Sequence, residues 1–207
     1  MLKPTTCKNC WLLNLFSAKD RLGNRRTVLL KNQTKEFKGG QCLIKTGEVV
    51  KGFYCIKEGR VKVFNSGKRK REFILWIAEQ GELLCVNSII NNEKSVFSAT
   101  AIDNVTTCFF GTSHMQSILQ KEPLIFNWLM QKLCNKLDFI ENRITSISTR
   151  NTKERCAEML HAIAGKKSNG SKIELSLNYS ISDLASLTGT TKNYIYKIVC
   201  VLNQVQL

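Results

Sequence analysis

The chain has 207 residues, a 43% hydrophobic content and a formal net charge of +15. Length leaves room for one or two domains. No run of eighteen apolar residues exists, so no membrane-spanning helix is expected. The charge excess favours a polyanionic partner, nucleic acid above all. It is largest over residues 1–38, where nine basic groups face two acidic ones.

Residues 1–36 read as an arm, helical in part and otherwise irregular, with Arg21, Arg25 and Arg26 on a solvated face. No small-residue cleavage site follows its apolar patch, so a signal peptide is not expected. Cys7-Lys8-Asn9-Cys10 is a C-x2-C pair, half of a four-ligand metal site, and no second pair answers it. Nine cysteines scattered along the chain read as reduced thiols in a cytosol-like compartment.

From Phe37 to Phe110 the texture changes to short apolar runs punctuated by glycines. Gln41–Ile44, Gly52–Ile56, Arg60–Asn65, Glu72–Ile77, Val96–Ala101 and Thr106–Phe110 read as strands. Many short strands at close spacing predict a compact β-roll over residues 37–120. Lys68-Arg69-Lys70-Arg71 reads as a solvated hairpin tip. Thr112–Gln120, with His114, reads as a short helix.

Pro123 then opens a longer helix that runs to about Thr149, within a dimerisation segment set at residues 121–149. Phe126, Met130, Leu133, Leu137, Ile140, Ile144 and Ile147 form a heptad seam, alternating four and three residues apart. Lys132, Lys136, Asp138, Glu141, Asn142 and Arg143 between them suit water. Such a helix is ~40 Å long. Its narrow stripe favours a second copy of itself over a place in one domain's core, which needs a broader apolar face.

Residues 150–207 begin with a helix, Thr152–Ala164, that carries His161 without a catalytic neighbour. A polar loop (Lys166–Ser171) and a short strand (Ile173–Leu177) follow. Ser180 and Asp183 are spaced as an approximate capping box for the helix Ile181–Thr188. Gly189 breaks that helix and Thr190 opens another, with Ile195 and Ile198 on its inner side. Small Ala185, Gly189 and the two isoleucines have the spacing of a helix-turn-helix. Thr190, Thr191, Lys192, Asn193, Tyr196 and Lys197 then supply outward groups suited to base edges and phosphates.

The order β-roll, seam helix, helix-turn-helix resembles the CRP/FNR family of bacterial transcription regulators. Gly52–Val63 is similar to the family's sensor strand and turn, and Ser98–Asp103 to the strand that closes its phosphate-binding cassette. Glu141-Asn142-Arg143-Ile144 and Arg155–Leu160 resemble the end of its dimer helix and the first helix of its DNA domain. Asp183–Thr190 resembles its reading head, and members from Bacteroidetes-type bacteria look closest.

The resemblance implies an α+β fold: a cyclic-nucleotide-binding-like β-roll, a dimerisation helix and a winged-helix-type domain lacking its wing. It implies a cytoplasmic homodimer that binds double-stranded DNA and works with RNA polymerase. It places a ligand pocket at Gly81, Glu82, Ser95 and Val96, with Glu82 matching the group that holds a ribose hydroxyl. Members that bind cyclic AMP carry Arg where Ser95 stands. Burying a phosphate without that cation is costly, so another effector is expected. Asn193 and Lys197 stand where the family commonly has Glu and Arg, which points to a different operator. Two rival readings remain: a degenerate sensor dimer without DNA function, and a redox or metal sensor using Cys7 and Cys10. Two isolated histidines and no paired nucleophile and base argue against an enzyme.

Overall fold

The computed structural model describes residues 33–67, 72–112, 123–165 and 179–204. Cys7, Cys10, the arginines of the arm, the Lys68–Arg71 tip, His114 with nearly all of its helix, and the segments 166–171 and 173–177 lie outside these residues.

Among the described residues, eight strands build two four-stranded sheets. They are β1 (Gln33–Phe37), β2 (Cys42–Ile44), β3 (Gly52–Glu58), β4 (Val61–Ser66), β5 (Glu72–Ala78), β6 (Leu83–Leu84), β7 (Ser98–Ala101) and β8 (Val105–Gly111). One sheet has the order β1-β8-β3-β6 and the other β2-β7-β4-β5. The strands form because alternate apolar side chains reach one interior. Val61 and Val63 are fully buried on β4, as is Ala99 on β7. A short helix, α1 (Val86–Ile90), follows β6.

Some short elements differ from expectation. Gln33–Phe37 lies mostly in the stretch expected to be an arm, and it is the strand β1, paired along its length with β8. Its sequence Gln-Thr-Lys-Glu-Phe has little intrinsic strand preference, and the ladder to β8 overrides it. Leu83–Leu84 and Val86–Ile90 carry no periodic signal, because each is too short to complete a pattern.

The β3–β4 turn fixes the strands beside it. Gly59 has a φ of 84°, and a Cβ there would run into the carbonyl oxygen of Asn104. The next residue, Arg60, donates from its backbone N at 2.6 Å and from Nε at 2.8 Å to the Asp103 carboxylate. Ile102 N closes the loop on Arg60 O at 2.8 Å. On the outer face of β1, β3 and β8, Lys35 Nζ lies 3.7 Å from the centre of the Phe109 ring, which in turn meets Tyr54.

The helices are α2 (Pro123–Thr149), α3 (Thr152–Gly165), α4 (Ile181–Thr188) and α5 (Lys192–Gln204). The chain divides into two compact units, Met1–Val63 with Ile77–Asn135, and Phe64–Trp76 with Lys136–Leu207. In the first, Leu129 of α2 is 2% exposed and joins Phe53, Cys55, Val86, Ile89, Cys108 and Phe110 in a core cluster. In the second, α2 packs through long polar side chains. Among the described residues no helix is long and apolar enough to cross a membrane.

Replacing Gly59 by Ala forces a side chain into left-handed backbone and onto the Asn104 carbonyl, and is expected to cost about 2 kcal/mol. Urea denaturation of the full chain checks this. A change under ~0.5 kcal/mol would show that the turn adapts.

Candidate nucleic-acid interface

The candidate interface is built by α4, the turn after it and α5. Ser180 caps α4: Asp183 N donates to Ser180 Oγ at 3.1 Å, and Ser180 N donates back to Asp183 Oδ2 at 3.2 Å. This is a reciprocal capping box with Asp in the acidic position. Leu184, Ala185 and Thr188 face inward. Gly189 takes the left-handed conformation, φ 66° and ψ 31°, and ends the helix. Thr190 N reaches back to Ala185 O at 2.9 Å, a six-to-one closure of the Schellman type.

Thr191 opens α5. Its Oγ1 accepts from Tyr194 N at 3.3 Å and its carbonyl from Ile195 N at 3.2 Å. The helix itself starts at Lys192, two residues later than the sequence pattern places it, because Thr190 and Thr191 serve as turn and cap. Ile195 is 2% exposed and seats α5 on α4.

Opposite Ile195, the structure brings Lys192, Asn193, Tyr196 and Lys197 to the surface, with Thr191 beside them. Their spacing keeps them on neighbouring positions of one helical face. Tyr196 is 63% exposed, unusual for so large a ring. Thr190 is half-buried in the turn. The face therefore carries two cations, an amide that can donate and accept, and a phenol.

Sequence reasoning missed what holds this pair of helices in place. Arg143 of α2, expected to face water, is half-buried. Its Nη2 donates to Ile74 O of β5 at 2.7 Å and to Leu187 O of α4 at 2.8 Å. Its guanidinium carbon lies 5.3 Å from the centre of the Phe73 ring. Burial pulls its pKa below the ordinary value, yet an arginine so placed stays charged at neutral pH. Arg155 of α3 donates from Nε to Thr188 O at 3.0 Å. Two cations thus sit at the C-terminal carbonyls of α4, where the helix dipole is negative. Ser186 Oγ donates to Glu72 O at 2.8 Å, and the Phe73 ring comes within 3.7 Å of where a Cβ on Gly189 would sit.

The signal for Arg143 lay in the sequence. Leu129, Lys136, Arg143 and Arg150 are each seven residues apart, a second stripe offset from the seam. Each has a partner: the core cluster for Leu129, the Trp76 ring 3.7 Å from Lys136 Nζ, two carbonyls for Arg143 and Glu158 for Arg150.

The expected pocket residues lie on two loops. Ser95 is 2% exposed, and its hydroxyl donates to Phe97 O within its own loop at 2.8 Å. Val96 is 61% exposed. Gly81 and Glu82 make a turn paired with Ile56: Gly81 N donates to Ile56 O at 2.9 Å and Ile56 N to Glu82 O at 3.0 Å. The helix α1 starts beyond them, after Cys85 in left-handed backbone at φ 71°.

The seam residues fall on one side of α2. Phe126, Met130, Leu137, Ile140, Ile144 and Ile147 are 38–59% exposed in the single chain, and Leu133 is half-buried.

Residues 34–122 match the cyclic nucleotide-binding domain family. Over 167 residues the chain is 23% identical to the fumarate and nitrate reduction regulatory protein of Vibrio cholerae, covering 80% of this chain and 66% of that protein. The match thus spans just under two thirds of that relative's length. Among solved structures, FixK2 from Bradyrhizobium japonicum superposes with a TM-score of 0.75 at 15% identity, covering 86% of this chain and 87% of its own. A CRP/FNR family transcriptional regulator from Thermus thermophilus gives 0.67 at 18% identity, covering 83% and 86%. These solved structures show that the chain shares their fold.

The α+β architecture read from the sequence is that of the CRP/FNR fold, with a cyclic-nucleotide-binding-like sheet domain followed by helices. The proteins named by these two matches are regulators.

Replacing Arg143 by Met keeps the stem and removes the donors to Ile74 O and Leu187 O. The loss is expected to be about 2 kcal/mol, concentrated in α4 and α5. Amide hydrogen exchange should show lost protection in those helices while the β3–β8 ladder keeps its own. Unchanged exchange in α4 would remove the clamp from the account.

Proposed function

We propose that the chain is a homodimeric, cytoplasmic transcription regulator that reads a pseudo-palindromic duplex with α5. The observation that carries this is the exposed face of Lys192, Asn193, Tyr196 and Lys197 on the second helix of a capped helix-turn-helix. That face offers what a major groove asks for. Lysines meet phosphates or guanine, and Asn pairs two ways with adenine. Working with RNA polymerase, and kinship with Bacteroidetes-type members, rest on the motif order alone. The division of labour follows the chain: residues 37–120 sense, 121–149 pair the protomers and 150–207 bind DNA.

The exposed apolar seam supports pairing through α2. Six large hydrophobic side chains in one stripe are a surface that a second copy covers. A twofold axis along the seam repeats α5, and the two copies then meet half-sites about 34 Å apart, one helical turn of DNA. The effector is something other than cyclic AMP, since Ser95 stands where cyclic AMP binders carry Arg and its hydroxyl is spent on its own loop. Signal reaches DNA by a shift in how the α2 helices pair.

Ile140→Asp places a charge in the middle of the seam. Sedimentation equilibrium should show monomers, with duplex binding lost together with the dimer and the β-roll still folded. Collapse of the roll would instead make α2 a core helix. At the reading face, Lys192→Ala should weaken all duplexes alike and lower the salt slope by about one. Asn193→Ala should relax sequence preference at one base pair, at a cost of ~1–3 kcal/mol. Salt-titrated mobility shifts distinguish the two. Equal loss of sequence preference in both variants would contradict these roles.

A further inference from the structure

Cys55 on β3 stands directly opposite Cys108 on β8 in the antiparallel ladder, and the flanking pairs Tyr54–Phe109 and Ile56–Thr107 keep the same register. Thr112 N donates to Lys51 O at 3.2 Å one step beyond the ladder. Counting by twos from that bond makes Phe53–Phe110 and Cys55–Cys108 the hydrogen-bonded pairs, whose Cα atoms sit ~5.5 Å apart. That is within the range a disulfide spans without backbone movement, roughly 4.4–6.8 Å.

The neighbouring pair of the same column shows that these side chains meet. Phe53 and Phe110 stack with ring centres 4.8 Å apart and planes 10° from parallel. Residues two apart on a strand share a face, so the two thiols point to the same side of the sheet. They are 8% and 6% exposed and lie in the core cluster with Leu129 of α2. A cross-link between them therefore forms directly beneath the first half of the seam helix. Among the described residues of this unit Cys85 is also buried, and burial pushes its thiol up to about 12.

We infer that Cys55 and Cys108 are a reversible oxidation site, a cross-strand dithiol that hydrogen peroxide converts to a disulfide. One thiolate attacks the peroxide oxygen, the O–O bond breaks and a sulfenic acid forms with release of hydroxide, which takes up a proton as water. The second thiol displaces the sulfenic oxygen, which leaves as a second water. Two S–H bonds are lost and one S–S bond is gained. The two sulfurs give up two electrons, and the peroxide takes both. A dithiol reductant reverses the change by exchange. The site is independent of Cys7 and Cys10 and of the DNA reading.

The test uses the full chain and hydrogen peroxide as the probe. Protein is oxidised, its remaining thiols are blocked with an alkylating agent, and peptides are mapped without reduction. The expected result is a linked pair of peptides holding Cys55 and Cys108, both closed to alkylation, and both open again after dithiothreitol. Cys108→Ser should abolish the linked species and leave Cys55 alkylated. Two outcomes overturn the inference: both residues stay alkylated at peroxide levels that oxidise other thiols, or Cys55 links to a different cysteine such as Cys85.

Discussion

One guanidinium organises the C-terminal unit. Arg143 joins three elements that are distant in sequence: the seam helix that carries it, strand β5 through Ile74 O, and α4 through Leu187 O. A planar, permanently charged group with several donors suits this task better than any other side chain. Both carbonyls lie where water is partly excluded, so each bond is worth more than a surface contact. Phe73 lies near both the guanidinium and the Gly189 turn. Helix α5 rests on α4, and α4 is held at its C-terminal end by Arg143 and Arg155. The orientation of the exposed side chains of α5 thus depends on contacts made on the far side of the helix pair.

The same helix α2 does two jobs on two stripes. The seam stripe is apolar and exposed. The other stripe, Leu129, Lys136 and Arg143, continued by Arg150 just past the helix end, makes contacts within the chain itself. Long cationic side chains suit such contacts, since their stems pack while their heads keep bonds over a range of positions.

Much of this was legible in the sequence. The long helix, the capping box at Ser180 and Asp183, the break at Gly189 and the buried Ile195 follow from local rules that need no tertiary partner. Most strands of the roll did too, since Val61 and Val63 alternate inward as a half-buried strand must. What was not legible depended on partners far along the chain. Gln33–Phe37 is a strand only because β8 pairs with it. Arg143 reads as a surface residue until Ile74 and Leu187 are placed beside it. Ser95 and Val96 could be aligned to a phosphate site from sequence, but only the loop geometry shows the hydroxyl bonded to Phe97 O. The facing of Cys55 and Cys108 is a matter of register, fixed by pairing across a separation that no local pattern spans.

Two copies of α5, set by the α2 seam, are proposed to read one duplex. Selection of bound fragments from a random duplex pool, followed by footprinting of the winners, tests this. The expected result is enrichment of two inverted half-sites whose centres are separated by about one helical turn, protected together. Enrichment of a single isolated half-site, or no enrichment beyond salt-sensitive charge attraction, would contradict it.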